Sequence, residues 1–165
     1  FTLTTTPARY LSGQIVQMRS VAVRGFTTTT INIPDDDTPP QSTEGAGFGL
    51  SVTLLPTSAL NQIYVRGDIF GSTSTPDGMV ITSLFLAASS SAIAAWKPLN
   101  GATIANRLDG VSFQWKAPTV SAASTTYALN VGTTGGGTLT LNGEASAGKF
   151  GDSVVSTLTV WEVQN

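Results

Sequence analysis

Two residue types with versatile chemistry are absent from this sequence of 165 residues, which contains no cysteine and no histidine. The missing cysteine excludes disulfide bonds, a thiolate nucleophile and a thiolate-bound metal. The missing histidine excludes Ser-His-Asp and Cys-His nucleophile systems, imidazole-bound zinc and the usual proton shuttle near neutral pH. Most familiar hydrolytic mechanisms are thereby excluded, and we expect that the chain is not an enzyme.

Charge is also scarce, since only 11% of the residues are charged while 41% are hydrophobic. The net charge is −2 and the eight basic residues are scattered, which argues against a nucleic-acid partner. No apolar run approaches the ~18 residues of a membrane helix, so no membrane insertion is expected. The first residues lack the layout of a signal peptide. The chain starts with Phe1 rather than Met, which suggests a fragment of a longer protein.

Apolar residues recur in short runs with a period of two, and no amphipathic helix stands out. About eight to ten such runs at the spacing of sandwich strands predict an all-β fold, best described as an antiparallel jelly roll. The clearest runs lie at residues 14–24, 26–33, 48–54, 63–69, 79–87, 111–117, 127–131, 139–141 and 153–163. The run 79–87 (MVITSLFLA) differs from the others in being nearly all apolar, which predicts a strand buried on both faces.

The stretch 124–165 carries the strongest pattern. Alternation at 127–131, a glycine-rich loop at 132–137 and renewed alternation at 139–141 predict a β-hairpin. The segment 153–163 (SVVSTLTVWEV) places β-branched or aromatic residues on both faces. A one-sided surface strand would expose half of them, so we predict a central strand that is dry on both faces.

Five spaced elements carry a resemblance: PDDDTPPQSTEG (34–45), SVTLLPTSALNQIYV (51–65), TTYALNVG (125–132), GGTLTLNG (136–143) and KFGDSVVSTLTVWEV (149–163). In this order they resemble the globular C-terminal heads of bacteriophage tail-fibre, tail-needle and related virion proteins. Some of these heads adopt a jelly roll like the tumour-necrosis-factor and complement globular heads and trimerise about a long axis. The resemblance covers most of residues 14–163 and is weakest at 88–109.

The resemblance implies a jelly-roll head at residues 14–165, with residues 1–13 as a connecting segment from a preceding stalk. It implies a homotrimer at the tail tip of a virion that attaches to a host cell-surface glycan or outer-membrane component. The alternative is a structural cap that registers and stabilises a trimeric fibre without binding a receptor. Low charge and strands that are apolar on both faces agree with a trimer, whereas a monomer would need a thick core and a threonine-rich exterior.

Four carboxylates in the proline-rich loop 34–45 are candidate metal ligands: Asp35, Asp36, Asp37 and Glu44. Closely spaced oxygen ligands suit a structural Ca²⁺, and no other cofactor is expected. The alternative is a solvated loop in which aspartates make turn hydrogen bonds. The spacing does not match the calcium-binding EF-hand loop.

Aromatic and basic residues supply the candidate receptor-binding site. Trp96 and Lys97 lie in an irregular polar stretch where an exposed aromatic side chain indicates a contact. Trp115 and Trp161 are instead assigned to the core or to a subunit interface.

Arg66 and Arg107 each precede an aspartate by two residues, Asp68 and Asp109. These arginines could grip a carboxylated or sulfated ligand in a subunit cleft. The alternative is a structural ion pair across the trimer axis or between loops.

A glycosidase with Glu144 and Asp152 as its paired carboxylates is a third hypothesis. Such a site needs a raised pKa on one member and a deep groove, and the sequence around these residues indicates neither.

Overall fold

β-Branched and aromatic runs form strands rather than helices, because these side chains lose rotamers in a helix and pack well on a pleated surface. The computed structural model describes residues 12–87, 89–98, 104–117 and 122–165. Within them no helix is long and apolar enough to cross a membrane. The strands are β1 (Ile15–Arg24), β2 (Thr27–Thr29), β3 (Ser51–Leu54), β4 (Gln62–Thr73), β5 (Val80–Leu86), β6 (Ala94–Trp96), β7 (Asp109–Lys116), β8 (Thr125–Thr133), β9 (Leu139–Leu141), β10 (Gly143–Glu144), β11 (Ala147–Gly148) and β12 (Val155–Val163).

Eight of these strands build two antiparallel sheets. The first sheet has the order β1-β12-β4-β7 and the second the order β3-β8-β5-β6. Among these eight strands the chain changes sheet at every connection except the one from β5 to β6. This succession is that of a jelly roll, so the predicted fold class is confirmed.

The short strands β2 and β9 extend the first sheet. One edge of β4 pairs with β12 along residues 62–68 and with β9 along residues 71–73, while β7 runs along its other edge. The buried side chain of Asn142 joins the two parts. It donates to the carbonyls of Val23 (2.8 Å) and Gly25 (3.1 Å) and accepts from Ser156 Oγ (2.7 Å). Asn142 has φ 55°, a left-handed conformation that asparagine tolerates better than most residues.

The core lies between the inner faces of the two sheets. Alternate residues of β4 and β12 pack against β5 and β8, and the burial of β5 along nearly its whole length confirms the prediction from its apolar run. The core residues of these four strands with no exposed surface are Ile63, Val65, Ile69, Leu84, Leu129, Val131, Leu158 and Val160.

The predicted hairpin at 124–141 is wrong. β8 pairs with β3 and β5 in the second sheet, whereas β9 pairs with β2 and β4 in the first. The loop between them crosses the sandwich through Gly135, Gly136 and Gly137, all with positive φ. Alternation identifies a strand and its buried face, but the strand's partner depends on distant parts of the chain.

β12 is a central strand between β1 and β4, as predicted. Its inner face is fully buried, but its outer face, which includes Trp161 and Val163, is half-buried. Trp161 stacks on Tyr64 of β4 with ring centroids 5.8 Å apart. The prediction that both faces are dry is therefore wrong for the single chain, because the described residues leave this outer face partly open.

Candidate functional site

The candidate site lies on the side of the sandwich where the edge strands β6 and β7 face each other. Trp96 of β6 stacks on Phe113 of β7 with ring centroids 3.7 Å apart and planes 7° from parallel. Phe113 in turn lies over Gly67 of β4, where an added Cβ would come within 2.3 Å of the ring. The absence of a side chain at Gly67 therefore leaves the space that the Phe113 ring occupies in the stack.

The sequence suggested that Trp96 lies in an irregular stretch, but the structure places it in a strand. It is the last residue of β6, pairs with Thr82 of β5 and is half-buried against the core. Its burial depends on Phe113, which is distant in sequence and provides one covered face. Trp96 is therefore not freely exposed, contrary to our expectation, but has one ring face covered by Phe113 and the rest of its surface partly accessible.

Two clefts flank this tryptophan. The larger, of about 480 Å³, is lined by Trp96, Lys97, Arg107, Asp109 and neighbouring β7 residues. The smaller, of about 220 Å³, shares Trp96 and Lys97 and is completed by the loop of residues 34–40 and by β5. We call the two clefts together the β6–β7 groove.

The structure brings three of the four predicted ligand-binding residues together at this edge, whereas Arg66 lies on the central strand β4. Trp96, Lys97 and Arg107 line the larger cleft itself. Arg66 borders a further depression of about 170 Å³ that shares Ser112 with the larger cleft.

Arg66, Lys97 and Arg107 are each paired with a carboxylate of the same chain. The Arg66 guanidinium donates to both carboxylate oxygens of Asp68. These hydrogen bonds raise the pKa of Arg66 and lower the pKa of Asp68. The two arginine pairs span two residues of sequence, so they lie neither across an oligomer axis nor between loops. The closest distances are Arg66 Nε to Asp68 Oδ2 at 2.9 Å, Arg107 Nη2 to Asp109 Oδ1 at 3.0 Å, and Lys97 Nζ to Asp35 Oδ2 at 2.7 Å.

The candidate calcium ligands Asp35, Asp36, Asp37 and Glu44 are not gathered into a site. Asp36 accepts from the backbone N–H (2.8 Å) and the hydroxyl (2.7 Å) of Thr38, which lowers the pKa of Asp36. Asp35 binds Lys97, and Glu44 accepts a backbone hydrogen bond from three residues earlier (2.7 Å). Within the described ranges no three carboxylates lie close enough to hold a metal ion. The hydrogen bonds of Asp36 are those of the alternative, a solvated loop in which aspartates stabilise turns.

One carboxylate of the glycosidase hypothesis, Glu144, is engaged by other groups of the chain. Glu144 lies 2.6 Å from Lys149 Nζ and accepts from the Leu108 N–H at 2.9 Å. The hydrogen bond from Lys149 lowers the pKa of Glu144, whereas a catalytic acid needs a raised one. Asp152 lies against the backbone of Gly148. The arrangement is that of a turn fixed by an ion pair.

Sequence reasoning missed a buried carboxylate, Glu162 of β12, which has no exposed surface. It accepts from Gln17 Nε2 (2.6 Å), Asn61 Nδ2 (2.6 Å), and the N–H and hydroxyl of Thr57 (both 2.8 Å), with a longer contact to the Ser58 N–H (3.4 Å). Burial raises the pKa of Glu162, but these donors outweigh it and hold the pKa below its usual value. The cluster anchors the β3–β4 loop to the end of the first sheet.

No protein-family model matches the chain, and no curated protein sequence matches it. Among solved structures, infectious bursal disease virus Gt strain is similar over 100% of this chain and 42% of its own, with 11% identity and a TM-score of 0.44. The VP2 subviral particle of the same virus is similar over 99% of this chain and 41% of its own, with 11% identity and a TM-score of 0.44.

A pilus of Bacillus endospore appendages is similar over 98% of this chain and all of its own, with 13% identity and a TM-score of 0.34. The chain spans about two fifths of the length of the bursal disease virus proteins. Similarity this distant identifies no family and assigns no function.

Proposed function

We propose that this chain is the non-enzymatic head of a virion attachment protein, carried at the tip of a bacteriophage tail fibre or tail needle. In this proposal it contacts a host surface component through the β6–β7 groove. The observation that carries the proposal is the larger cleft beside the Trp96–Phe113 stack, since its volume of about 480 Å³ falls within the range of ligand sites. The resemblance to phage heads supplies the biological setting.

The titratable groups support binding rather than catalysis. Within the described residues, every carboxylate whose pKa departs clearly from its usual value is shifted downward: Asp36, Asp68, Glu144 and Glu162. A general acid at neutral pH needs an upward shift, and the sequence offers no imidazole or thiol in its place.

The outer face of the first sheet supports the homotrimer that belongs to this proposal. Tyr64 and Trp161 stack there, and Met18, which pairs with Trp161, is 62% exposed. Ile15 is 55% exposed opposite Val163, so the apolar surface continues to the sheet edge. Packing three copies about an axis would cover such a surface. The same observation favours the second candidate function, a cap that stabilises a trimeric fibre.

Adhesion of the purified chain to a panel of bacterial envelopes tests the attachment proposal. We expect Lys97→Ala combined with Arg107→Ala to weaken adhesion at least about tenfold, as expected for residues central to an interface. The control is Arg24→Ala, an exposed arginine on β1 at the opposite edge of the first sheet. A monomer in light scattering that adheres to no envelope would contradict the proposal.

Deletion of the head from the full fibre or needle protein separates the two candidate functions. If the head attaches, the remaining fibre assembles as a trimer but no longer adheres. If the head is a cap, the remaining chains fail to trimerise.

A further inference from the structure

We infer that the β6–β7 groove takes a neutral saccharide rather than an acidic one. The inference rests on the proposed function, because it names the ligand class of the same site. It follows from three properties of the groove, namely its charge, its hydrogen-bonding groups and the fixed position of its aromatic side chain.

The groove repels an anion. Among the residues that the structure describes, its lining contains two cations, Lys97 and Arg107, against three carboxylates, Asp35, Asp36 and Asp109, so the formal charge of this lining is 2 − 3 = −1. An acidic sugar would enter a site that is negative overall, where like charges oppose binding.

The group best suited to grip an anion is already occupied. Arg107 directs Nε (3.3 Å) and Nη2 (3.0 Å) at the same Asp109 oxygen. Lys97 Nζ contacts both oxygens of Asp35, at 2.9 and 2.7 Å. A ligand carboxylate or sulfate would have to compete with these two carboxylates for the donors that face them. In this inference Arg107 therefore does not bind an acidic ligand.

These ion pairs suit hydroxyl groups instead. A sugar hydroxyl both donates and accepts, and a cation next to a carboxylate presents donors and acceptors side by side. The pairs are accessible, with side-chain exposures of 51% for Lys97 and 40% for Asp35, and 45% for Arg107 and 20% for Asp109. Arg107 keeps further N–H donors beyond those it gives to Asp109.

Trp96 supplies the apolar contact and is held in place before any ligand binds. Phe113 covers one of its faces, and Gly67 leaves the space in which Phe113 lies. An aromatic side chain fixed in this way loses little rotamer freedom on binding. Because Trp96 and Lys97 line both clefts, a ligand that fills the groove crosses the tryptophan, and we expect it to contain at least two sugar units.

Titration with two matched sets of oligosaccharides tests the inference. One set contains neutral oligomers of glucose, galactose and mannose, and the other contains oligogalacturonate and sulfated galactose oligomers of equal length. Binding is followed by the indole N–H signals in NMR spectra. We expect neutral oligomers to bind, with an affinity that changes less than about twofold between about 50 and 500 mM NaCl, because no net charge is neutralised.

Variants locate the binding. Trp96→Ala should lower the affinity for the neutral oligomers at least about tenfold, whereas Arg24→Ala should leave it unchanged. Asp36→Asn combined with Asp109→Asn should shift the preference toward the acidic oligomers, since it removes two of the three carboxylates. Tighter binding of acidic oligomers by the unmodified protein, or no binding of any neutral oligomer, would overturn the inference.

Envelope adhesion measured in parallel distinguishes this failure from failure of the proposed function. A protein that adheres to envelopes but prefers acidic oligomers, or binds none, refutes the neutral-saccharide inference alone. A protein that binds neutral oligomers through Trp96 but adheres to no envelope refutes the attachment role and leaves the ligand class standing.

Discussion

Removing the carboxylate of Glu162 should be among the most destabilising single changes in this chain. Four hydrogen bonds of 2.6–2.8 Å end on its two oxygens, and the side chain has no exposed surface. In Glu162→Ala the donors of Gln17, Thr57 and Asn61 lose their acceptor. Each buried unsatisfied group costs about 1–3 kcal/mol, and since water and rearrangement recover part of the loss we expect about 3–5 kcal/mol in total.

Glu162→Gln is the matched control, because it keeps the shape and one acceptor oxygen. That oxygen can serve Thr57 and Asn61, while the new amide N–H₂ would face Gln17 Nε2 unless the Gln17 amide reverses. Reversal would cost the Gln17 side chain its hydrogen bond to the Leu55 carbonyl (2.7 Å). We therefore expect an intermediate loss of about 1–2 kcal/mol in the free energy of unfolding.

Thermal and urea unfolding at neutral pH measure both variants. A loss of 3–5 kcal/mol corresponds to a fall in Tm of about 6–20 °C for a chain of this size. An Ala variant within about 1 kcal/mol of the unmodified protein, or a Gln variant as unstable as the Ala variant, would refute the reasoning.

Acid pH provides an independent check on Glu162. Its pKa in the folded chain lies below the usual 4.5, so its charged form contributes stability that is present above pH 4.5 and is lost as the pH falls through the folded pKa. Glu162→Gln has no titrating group there, and both proteins share the other carboxylates. The stability gap between them should narrow as the pH falls from about 5.5 to below 4, and a constant gap would show that Glu162 is not responsible.

Three further substitutions test the packing. Gly67→Ala should displace the Phe113 ring, cost about 1–3 kcal/mol and shift the indole signal of its stacking partner, whereas Gly47→Ala, whose nearest contact would be an ordinary 3.5 Å, should do neither. Trp161→Ala should lower the free energy of unfolding of a single chain by less than the loss of about 3–5 kcal/mol seen for a fully buried tryptophan, because Trp161 lies on the half-buried outer face of β12. Light scattering of this variant should show loss of the proposed trimer. Asn142→Ala should cost about 2–4 kcal/mol in urea unfolding, since three hydrogen bonds at the sheet junction are lost at a positive φ; a loss under 1 kcal/mol would contradict this role.

The sequence was sufficient for the fold class because a jelly roll is built from short alternating strands. The run at 153–163 identified β12, and the apolar run at 79–87 identified the buried β5. Pairing was harder to predict: the loop at 132–137 has the glycine content of a hairpin turn, yet it joins strands of different sheets. Strand partners are set by packing across the sandwich, and local alternation does not record them.

The candidate site was predictable in its residue types but not in its geometry. The polar surroundings predict Trp96 and Lys97, and the spacing to Asp109 predicts Arg107, yet the stacking of Trp96 on Phe113 needs two edge strands to meet. The sequence does contain a signal for Glu162, because alternation places this residue in phase with Leu158, on the buried face. A charged residue in the buried phase of a central strand indicates a cluster of donors around it.

The attachment surface itself can be located directly by NMR. Adding fragments of a host envelope that the protein recognises, and recording which amide and indole signals change, distinguishes the surfaces of the sandwich. We predict changes concentrated at Trp96, Lys97 and residues 107–112, with none at the outer face around Tyr64 and Trp161. Changes confined to that outer face, or to the β3–β4 loop at the opposite end of the sheet, would contradict this prediction.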